Sequence, residues 1–540
     1  MSLLLTNIIY TLVFLILTTK ELITDRYDHD IDQFMYFGSR ILHGELIWTK
    51  EFDDKSPVVQ YIFSIPAAFK NTGLFVLLTI LISLIATYMG YIMLKDILRN
   101  SSLEINRKHE NSVLYFGSIL YLTLLTSIYG SLHHINAISS SFCLITIAIT
   151  YLNKKRKNYL LINLSAITAA ISLSIRPYYL LNLLILPIWQ IYRERNIEDK
   201  KMLEFKIKKK LLYIKSFLNW ASLITVYLII FNASPYIFSA NLSDFFYGIK
   251  LNSFDYINHN ILQRQYINIG RNPILYPILL GMIALPIIRT IFSKIIFNYY
   301  QRKENGLNYL FKLDVDIVFF GIINPLLLEF MFFRKHFFGH YFTLFSPYIL
   351  ISIIILIAIS ARLNKLINNF NIVKNIVKST SIIILIACLI TNQSLPNTTS
   401  EIFNKKISEK SYKLELIKEF VDEERGKNRK MSFLAPNNNY IHWKLGESRH
   451  GFPQKAVFRN LAEGKMDILI NNNDRLKYKF LLPKKDELCE TLYKNAPDYI
   501  ITEKNDYSYT CLKKRSSNYK LLSSKQKLKD NNIFIYKRFK

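Results

Sequence analysis

The chain has 540 residues, of which 51% are hydrophobic and 14% aromatic, and its formal net charge is +29. A disordered basic tail that binds nucleic acid is excluded, because such tails contain few aromatic residues, whereas this chain has 37 Phe and 35 Tyr. Four Cys are too few for a secreted disulfide scaffold. The composition therefore predicts an integral membrane protein whose basic residues lie in loops and in a polar domain.

Apolar runs of spanning length recur as far as residue 391. They lie at 3–20, 73–94, 112–128, 136–152, 159–175, 177–192, 214–232, 272–291, 315–332, 341–360 and 379–391. We expect the first run to be a retained helix, because no small-residue cleavage site follows it. Basic residues concentrate in alternate loops, most densely from Arg193 to Lys215. This pattern predicts about eleven spans with a cytoplasmic N-terminus. It gives no support to nucleic-acid binding, since the basic residues are split among separate loops.

Residues 392–540 contain no run of spanning length. The predicted elements are a helix at Ser408–Glu424 and strands at Met431–Leu434, Tyr478–Leu482, Tyr499–Thr502 and Ile533–Tyr536. The expected fold class is an α-helical polytopic membrane protein: residues 1–391 form the membrane domain, with a first outer loop at 21–72. Residues 392–540 form a small α/β extracytoplasmic domain. Cys489 and Cys511 both fall in this region, and the sequence leaves open whether they form a disulfide.

The first outer loop carries four carboxylates within eight residues, directly after the first span. Crowded carboxylates raise one another's pKa, which suits a general base or a cation site; the alternative is an acidic surface loop. Downstream, an amphipathic helix at the membrane interface is predicted from the spacing of Phe34, Phe37, Ile41 and Leu42, with Gly44 ending it. A second such helix is predicted from Pro57 to Phe69. Lys55 precedes it at headgroup depth, where a cation either binds a phosphate or simply snorkels.

Two further stretches place cations at the ends of apolar runs. Residues 333–347 cluster Arg334, Lys335, His336 and His340, which suit neutralisation of a phosphate leaving group or contact with lipid headgroups. Arg176 interrupts an apolar hairpin and is either a site residue or a snorkelling side chain. The adjacent pair His133 and His134 has no evident third ligand, so a zinc site is not expected.

The first outer loop resembles that of GT-C superfamily glycosyltransferases. The nearest groups are the bacterial relatives of protein O-mannosyltransferases and of the enzyme that adds aminoarabinose to lipid A, which are similar to glycosyltransferase family 39. The matching positions are Asp30 or Asp32, Tyr36, Ile41–Gly44 and Asp53–Pro57, with Ser56 where the family has its first Pro. The run from Arg334 through His340 and Tyr341 to Pro347 is similar to a late outer-loop signature of the same branch.

The resemblance implies an inverting glycosyltransferase at the outer face of a bacterial inner membrane. The sugar would pass from a polyprenyl-phosphate donor to a lipid, glycan or protein acceptor. The implied roles are a general base at Asp30 or Asp32, donor phosphate binding by Lys55, Arg334, His340 and Arg176, and further site positions at Asp28, Tyr36, Asp54 and Tyr341. The resemblance implies no required cofactor. The cluster of carboxylates leaves open whether a divalent cation binds there. A polysaccharide polymerase or ligase, and a lipid-linked glycan transporter, are the alternative functions.

Overall fold

The computed structural model divides the chain into two compact units. The first, the membrane unit, comprises Met1–Thr24, Val76–Phe231 and His259–Thr398; the second, the loop unit, comprises Asp25–Phe75, Asn232–Asn258 and Thr399–Lys540. The structure describes residues 29–49, 55–100, 134–153, 158–189, 203–252, 319, 323–324, 327–328, 343–348, 351, 409–427, 431–435, 442, 485–494, 496–504, 507–514, 518–522, 530 and 532–539. The predicted domain boundary at residue 391 lies outside these ranges, so it stays a prediction.

The described part of the chain is mostly helical. The helices are α1 (His29–Leu42), α2 (Pro57–Ala68), α3 (Gly73–Asn100), α4 (Ile135–Leu152), α5 (Tyr159–Ile175), α6 (Leu180–Leu184), α7 (Leu203–Leu228), α8 (Ser234–Phe238), α9 (Leu242–Asn252), α10 (Glu409–Lys427), α11 (Lys485–Lys494) and α12 (Tyr507–Lys514). A single 3₁₀ turn at Pro177–Tyr179 leads into α6, and a π-helical turn at Ile229–Ala233 joins α7 to α8.

Three described segments are long and apolar enough to cross a membrane. They are Gly73–Ile97, Ile135–Leu152 and Phe217–Phe238, and they match the predicted runs 73–94, 136–152 and 214–232. The runs 159–175 and 177–192 correspond to shorter apolar helices at Tyr159–Ile175 and Pro177–Trp189. The runs 3–20, 112–128, 272–291 and 379–391 lie outside the described residues, as does most of 315–332 and 341–360. The predicted number of spans is therefore tested only at these segments.

Helix α4 is almost wholly enclosed by protein, since 89% of its residues are buried. Three consecutive serines on it reach three different neighbours: Ser139 Oγ donates to the carbonyl oxygen of Ser172 (3.0 Å), Ser140 Oγ lies 2.9 Å from Ser346 Oγ, and Ser141 Oγ lies 3.1 Å from Ser83 Oγ. Small hydroxyl side chains allow helices in a membrane to approach closely and to hydrogen-bond across the interface. Such bonds stabilise the packing of α4 against its surroundings.

The C-terminal part of the loop unit is a four-stranded sheet with helices on both faces. Its strands are β1 (Phe433–Leu434), β2 (Tyr499–Glu503), β3 (Tyr519–Leu521) and β4 (Ile533–Arg538), in the order β1-β2-β4-β3. β1 is parallel to β2, and β4 is antiparallel to both of its neighbours. Successive side chains alternate between faces: Tyr499 and Ile501 pack against α10, whereas Ile500 packs with residues of α11 and α12.

Most predicted elements of this region are confirmed, with shifted ends. Helix α10 runs three residues beyond the predicted Glu424, and β2 and β4 match the predicted strands. The predicted strand at Tyr478–Leu482 lies outside the described residues. The disulfide that the sequence left open is formed: Cys489 of α11 is bonded to Cys511 of α12, with their Cα atoms 5.4 Å apart.

A small polar network connects α10 to the first residue of β2. Tyr499 donates its hydroxyl hydrogen to Glu424, which also accepts from Lys427 Nζ at 2.9 Å. Burial alone would raise the pKa of Glu424, but the hydrogen bonds from Lys427 and Tyr499 hold it below its usual range. The pKa of Tyr499 is raised, first by burial and then by its bond to Glu424. The network therefore favours an ionised carboxylate beside a neutral phenol.

Candidate functional site

Helices α1 and α2, in the loop predicted at residues 21–72, pack tightly against each other at Gly38. A Cβ atom at Gly38 would lie 2.5 Å from the carbonyl carbon of Phe63 and 2.6 Å from its oxygen, so only glycine permits this approach of the α1 and α2 backbones. One turn before Gly38, Phe34 contacts Phe63 with ring centroids 5.1 Å apart. Phe63 in turn stacks on Phe75 at 4.2 Å. The close approach at Gly38 and the tilted contact of Phe34 with Phe63 hold α1 and α2 together as a pair.

The predicted helix at the start of the loop is confirmed, but two of the four residues of its predicted apolar stripe are buried. Phe34 and Phe37 are buried within the protein, whereas Leu42 is exposed. The predicted interfacial stripe is therefore wrong at those two aromatic positions, because both side chains are buried within the protein, Phe34 against Phe63 of α2. Asp32 and Tyr36, one helical turn apart, are buried too, with 5% and 0% of their surface exposed.

Lys55 lies at the entrance of α2, beside the buried aromatic ring of Phe34. Its Nζ is 5.8 Å from the ring centroid, within the range of a cation–π interaction. Ser56, which stands where the resembling family has Pro, adopts φ −71° and ψ 159°. These angles are close to those that a proline at this position would impose. The serine therefore preserves the extended backbone before Pro57 and, with it, the position of Lys55.

Helix α1 ends as predicted. Gly44 has φ +76°, a left-handed conformation that favours glycine, and Arg40 forms an ion pair with Glu45 at 2.7 Å across the turn. The chain then reaches Trp48, which is buried and also left-handed at φ +69°. Trp48 stacks on Tyr236, whose hydroxyl donates to the carbonyl oxygen of Ile47 at 2.6 Å. No pattern in the sequence indicates this contact, since the two aromatic residues are 188 positions apart.

A histidine that the sequence analysis missed joins α1 to the C-terminal sheet within the loop unit. The His442 ring stacks on Phe433 at 4.7 Å and meets the edge of the Tyr36 ring at 6.1 Å. Its Nε2 accepts a hydrogen bond from the backbone N–H of Ala435 at 3.0 Å. Tyr36 is therefore held on two sides: by its own helix and by a residue more than four hundred positions away.

Arg176 lies in the membrane unit, at the C-terminus of α5. It is buried, and its Nε donates to Oδ1 of Asn136 in the first turn of α4. The preceding His134 caps the same helix, since its Nδ1 accepts from the Asn136 backbone N–H at 3.2 Å. The snorkelling interpretation of Arg176 is wrong, because a snorkelling side chain exposes its charged head to water. Its role in binding a phosphate stays a prediction.

The remaining predicted site residues are only partly covered by the structure. Asp30 is within α1, one turn before Phe34, and nothing is described of its side chain. Asp28, Asp54, Arg334, His340 and Tyr341 lie outside the described residues. Within the described ranges, no group of three or more His, Cys, Asp or Glu side chains is arranged to hold a metal ion.

Comparison of the chain with models of protein families, with curated proteins and with solved structures found no match.

Proposed function

We propose that the protein is an inverting glycosyltransferase that moves a sugar from a polyprenyl-phosphate donor to a lipid, glycan or protein acceptor. The observation that carries the proposal is the α1–α2 pair. A buried carboxylate at Asp32 and a buried phenol at Tyr36 lie on α1, and the cation of Lys55 lies just before α2, beside Phe34 of α1. These are the residue types, in the chain order, that make the first outer loop similar to that of GT-C glycosyltransferases.

In the proposed mechanism, a carboxylate of α1 acts as the general base. Asp30 or Asp32 removes the proton of the acceptor hydroxyl while the oxygen attacks the anomeric carbon from the side opposite the phosphate. The bond between that carbon and the phosphate oxygen breaks, so the configuration inverts and polyprenyl phosphate leaves. The proton stays on the carboxylate and later passes to water. A positioned base of this kind contributes a factor of about 10²–10⁴ to the rate.

Lys55 is proposed to stabilise the negative charge that develops on the leaving phosphate. An ammonium group serves this role without transferring a proton, and removing such a donor costs a factor of about 10²–10³. The packed α1–α2 pair supports this role, since it holds the lysine beside the helix that bears both aspartates. We propose three further phosphate ligands: Arg334, His340 and Arg176. For Arg334 and His340 this proposal rests only on the resemblance.

The proposed setting is a bacterial inner membrane with about eleven spans. The N-terminus would be cytoplasmic, and the first outer loop and the C-terminal domain would lie outside. The three candidate spans support a membrane location, and the positive-inside pattern of the sequence supports the proposed orientation. The Cys489–Cys511 disulfide supports an oxidising location for the C-terminal sheet.

The test is transfer of radiolabelled sugar from a panel of polyprenyl-phosphate sugars in membranes that contain the wild type or a variant. Asp30→Asn, Asp32→Asn and Lys55→Gln are compared with Asp422→Asn and Lys418→Gln, two substitutions of exposed residues on α10. We expect a labelled product with the wild type and both controls, and its loss with Lys55→Gln and with one of the two aspartate variants.

The outcomes separate the candidate functions. Loss in one aspartate variant identifies the base. Unchanged transfer in both would refute the general-base mechanism. Lengthening of an existing glycan without a polyprenyl-phosphate monosaccharide would favour the polymerase, and movement of intact lipid-linked glycan across the membrane would favour the transporter.

A further inference from the structure

Helix α9 presents an unusual surface for a segment outside the membrane spans. Leu242, Phe246 and Ile249 recur at the spacing of one helix face, and all three are exposed, Phe246 by 61%. The opposite behaviour is seen on the adjoining face, where Phe245 and Gly248 are buried. A soluble protein rarely arranges its exposed large apolar side chains in such a stripe unless something covers it.

The stripe continues directly from a candidate membrane span. Phe217–Phe238 ends in Ile237 and Phe238, and the Phe238 side chain is 89% exposed. A three-residue turn separates this end from α9, with Ala240 in a left-handed conformation at φ +57°. The turn is hydrogen-bonded on itself: the Asn241 N–H donates to the Tyr236 carbonyl oxygen at 2.9 Å. The apolar stripe of α9 therefore begins directly after the turn that follows a candidate membrane span.

The protein-facing side of α9 packs against the turn that follows α1. A Cβ atom at Gly248 would lie 2.1 Å from the ring of Trp48, so the helix backbone touches the indole directly. Phe245 adds a second contact, with ring centroids 5.9 Å apart. One side of the helix is thus committed to the first outer loop and the other is left apolar and exposed.

We propose that α9 is a membrane-surface helix whose stripe of Leu242, Phe246 and Ile249 inserts into lipid next to the span Phe217–Phe238. The occupant of the stripe is the lipid itself, at the boundary between headgroups and acyl chains, where amphipathic helices of this kind bind. The contact of Gly248 with Trp48 then ties the turn at Leu46–Thr49 to the same lipid surface. This inference does not rest on the proposed glycosyltransferase activity.

The test uses single labelled cysteines in the full chain, reconstituted in phosphatidylcholine vesicles that contain phosphatidylglycerol. Phe246→Cys and Ile249→Cys carry an environment-sensitive fluorophore in a Cys143→Ala, Cys388→Ala background, which leaves the disulfide pair in place. Ser243→Cys, exposed on the same helix but off the stripe, is the matched control. Val226→Cys, exposed on the span, is the reference for lipid contact. Lipids with a quencher attached to the acyl chain are then added to the vesicle composition.

We expect labels at positions 246 and 249 to lose most of their fluorescence, as the label at 226 does, while the label at 243 keeps most of its own. An unquenched label at both 246 and 249 overturns the proposal, because the stripe is then covered by protein or faces water. Equal quenching at 243 and 246 also overturns it, since the helix would have no lipid face. Two stripe positions are used so that misfolding of one variant, detected by gel filtration, leaves the other as the test.

Discussion

Replacing Gly38 by Ala tests whether the close packing of α1 against α2 holds the loop unit together. The added Cβ would lie 2.5 Å from the backbone of Phe63, and ordinary contacts begin at 3.4 Å, so the helices must separate by about 0.9 Å (3.4 − 2.5). The obstacle is backbone, which has no rotamer with which to yield. Overpacking of this kind costs about 1–3 kcal/mol. The higher helix propensity of Ala offsets at most about 1 kcal/mol of that cost.

Two other glycines provide matched controls for Gly38→Ala. A Cβ at Gly426 meets nothing within 4 Å, so Gly426→Ala has the propensity gain without the clash. A Cβ at Gly90 meets only the flexible end of Leu144, at 3.2 Å, so Gly90→Ala should have a small effect. We therefore expect the unfolding temperature to follow the order Gly426→Ala, Gly90→Ala, Gly38→Ala, from highest to lowest.

Thermal unfolding of the purified full chain in detergent, followed by tryptophan fluorescence, measures this order. At roughly 2–4 °C per kcal/mol, a difference of 1–3 kcal/mol lowers the midpoint of Gly38→Ala by roughly 2–12 °C relative to Gly426→Ala. Equal midpoints for Gly38→Ala and Gly426→Ala would show that α1 and α2 do not pack as described. The arrangement of Asp32 and Lys55 on that pair would then have no support.

Three further predictions concern the sheet and the membrane unit. Cys511→Ser opens the 22-residue link to its partner and should lower the unfolding free energy of the C-terminal fold by about 3 kcal/mol; wild type should respond to a reductant in a melt and the variant should not. Glu424 has a lowered pKa, so its stabilising effect is complete above the usual pKa and is lost as pH falls through the folded value. Glu424→Gln should therefore flatten the acid limb of a stability–pH curve, whereas the control Glu423→Gln should leave it steep. Ser140→Ala and Ser346→Ala should each cost about 0.6–1.7 kcal/mol, and a double-mutant cycle should show coupling; additive losses would contradict the hydrogen bond between them.

Local pattern was sufficient for elements whose cause is local. The short apolar runs at 499–502 and 533–536, bounded by turn residues or charges, predict strands of a small α/β domain. Gly44 predicts the end of α1, because only a residue tolerant of positive φ closes that helix cheaply. The long apolar runs predict membrane spans, because the hydrocarbon core requires about 20 such residues. In each case the physical reason acts within a few positions along the chain.

Features that join distant positions were decided by the tertiary structure alone. Nothing near Cys489 indicates that Cys511 is its partner, since a disulfide depends on the separation of two Cα atoms brought together by the whole fold. The stacking of His442 on Phe433 and the bond from Arg176 to Asn136 likewise need two segments in contact. The sequence by itself predicts a membrane protein with a polar α/β region and an acidic first loop. Which of its side chains are buried, and against what, follows only from contacts between residues far apart in the chain.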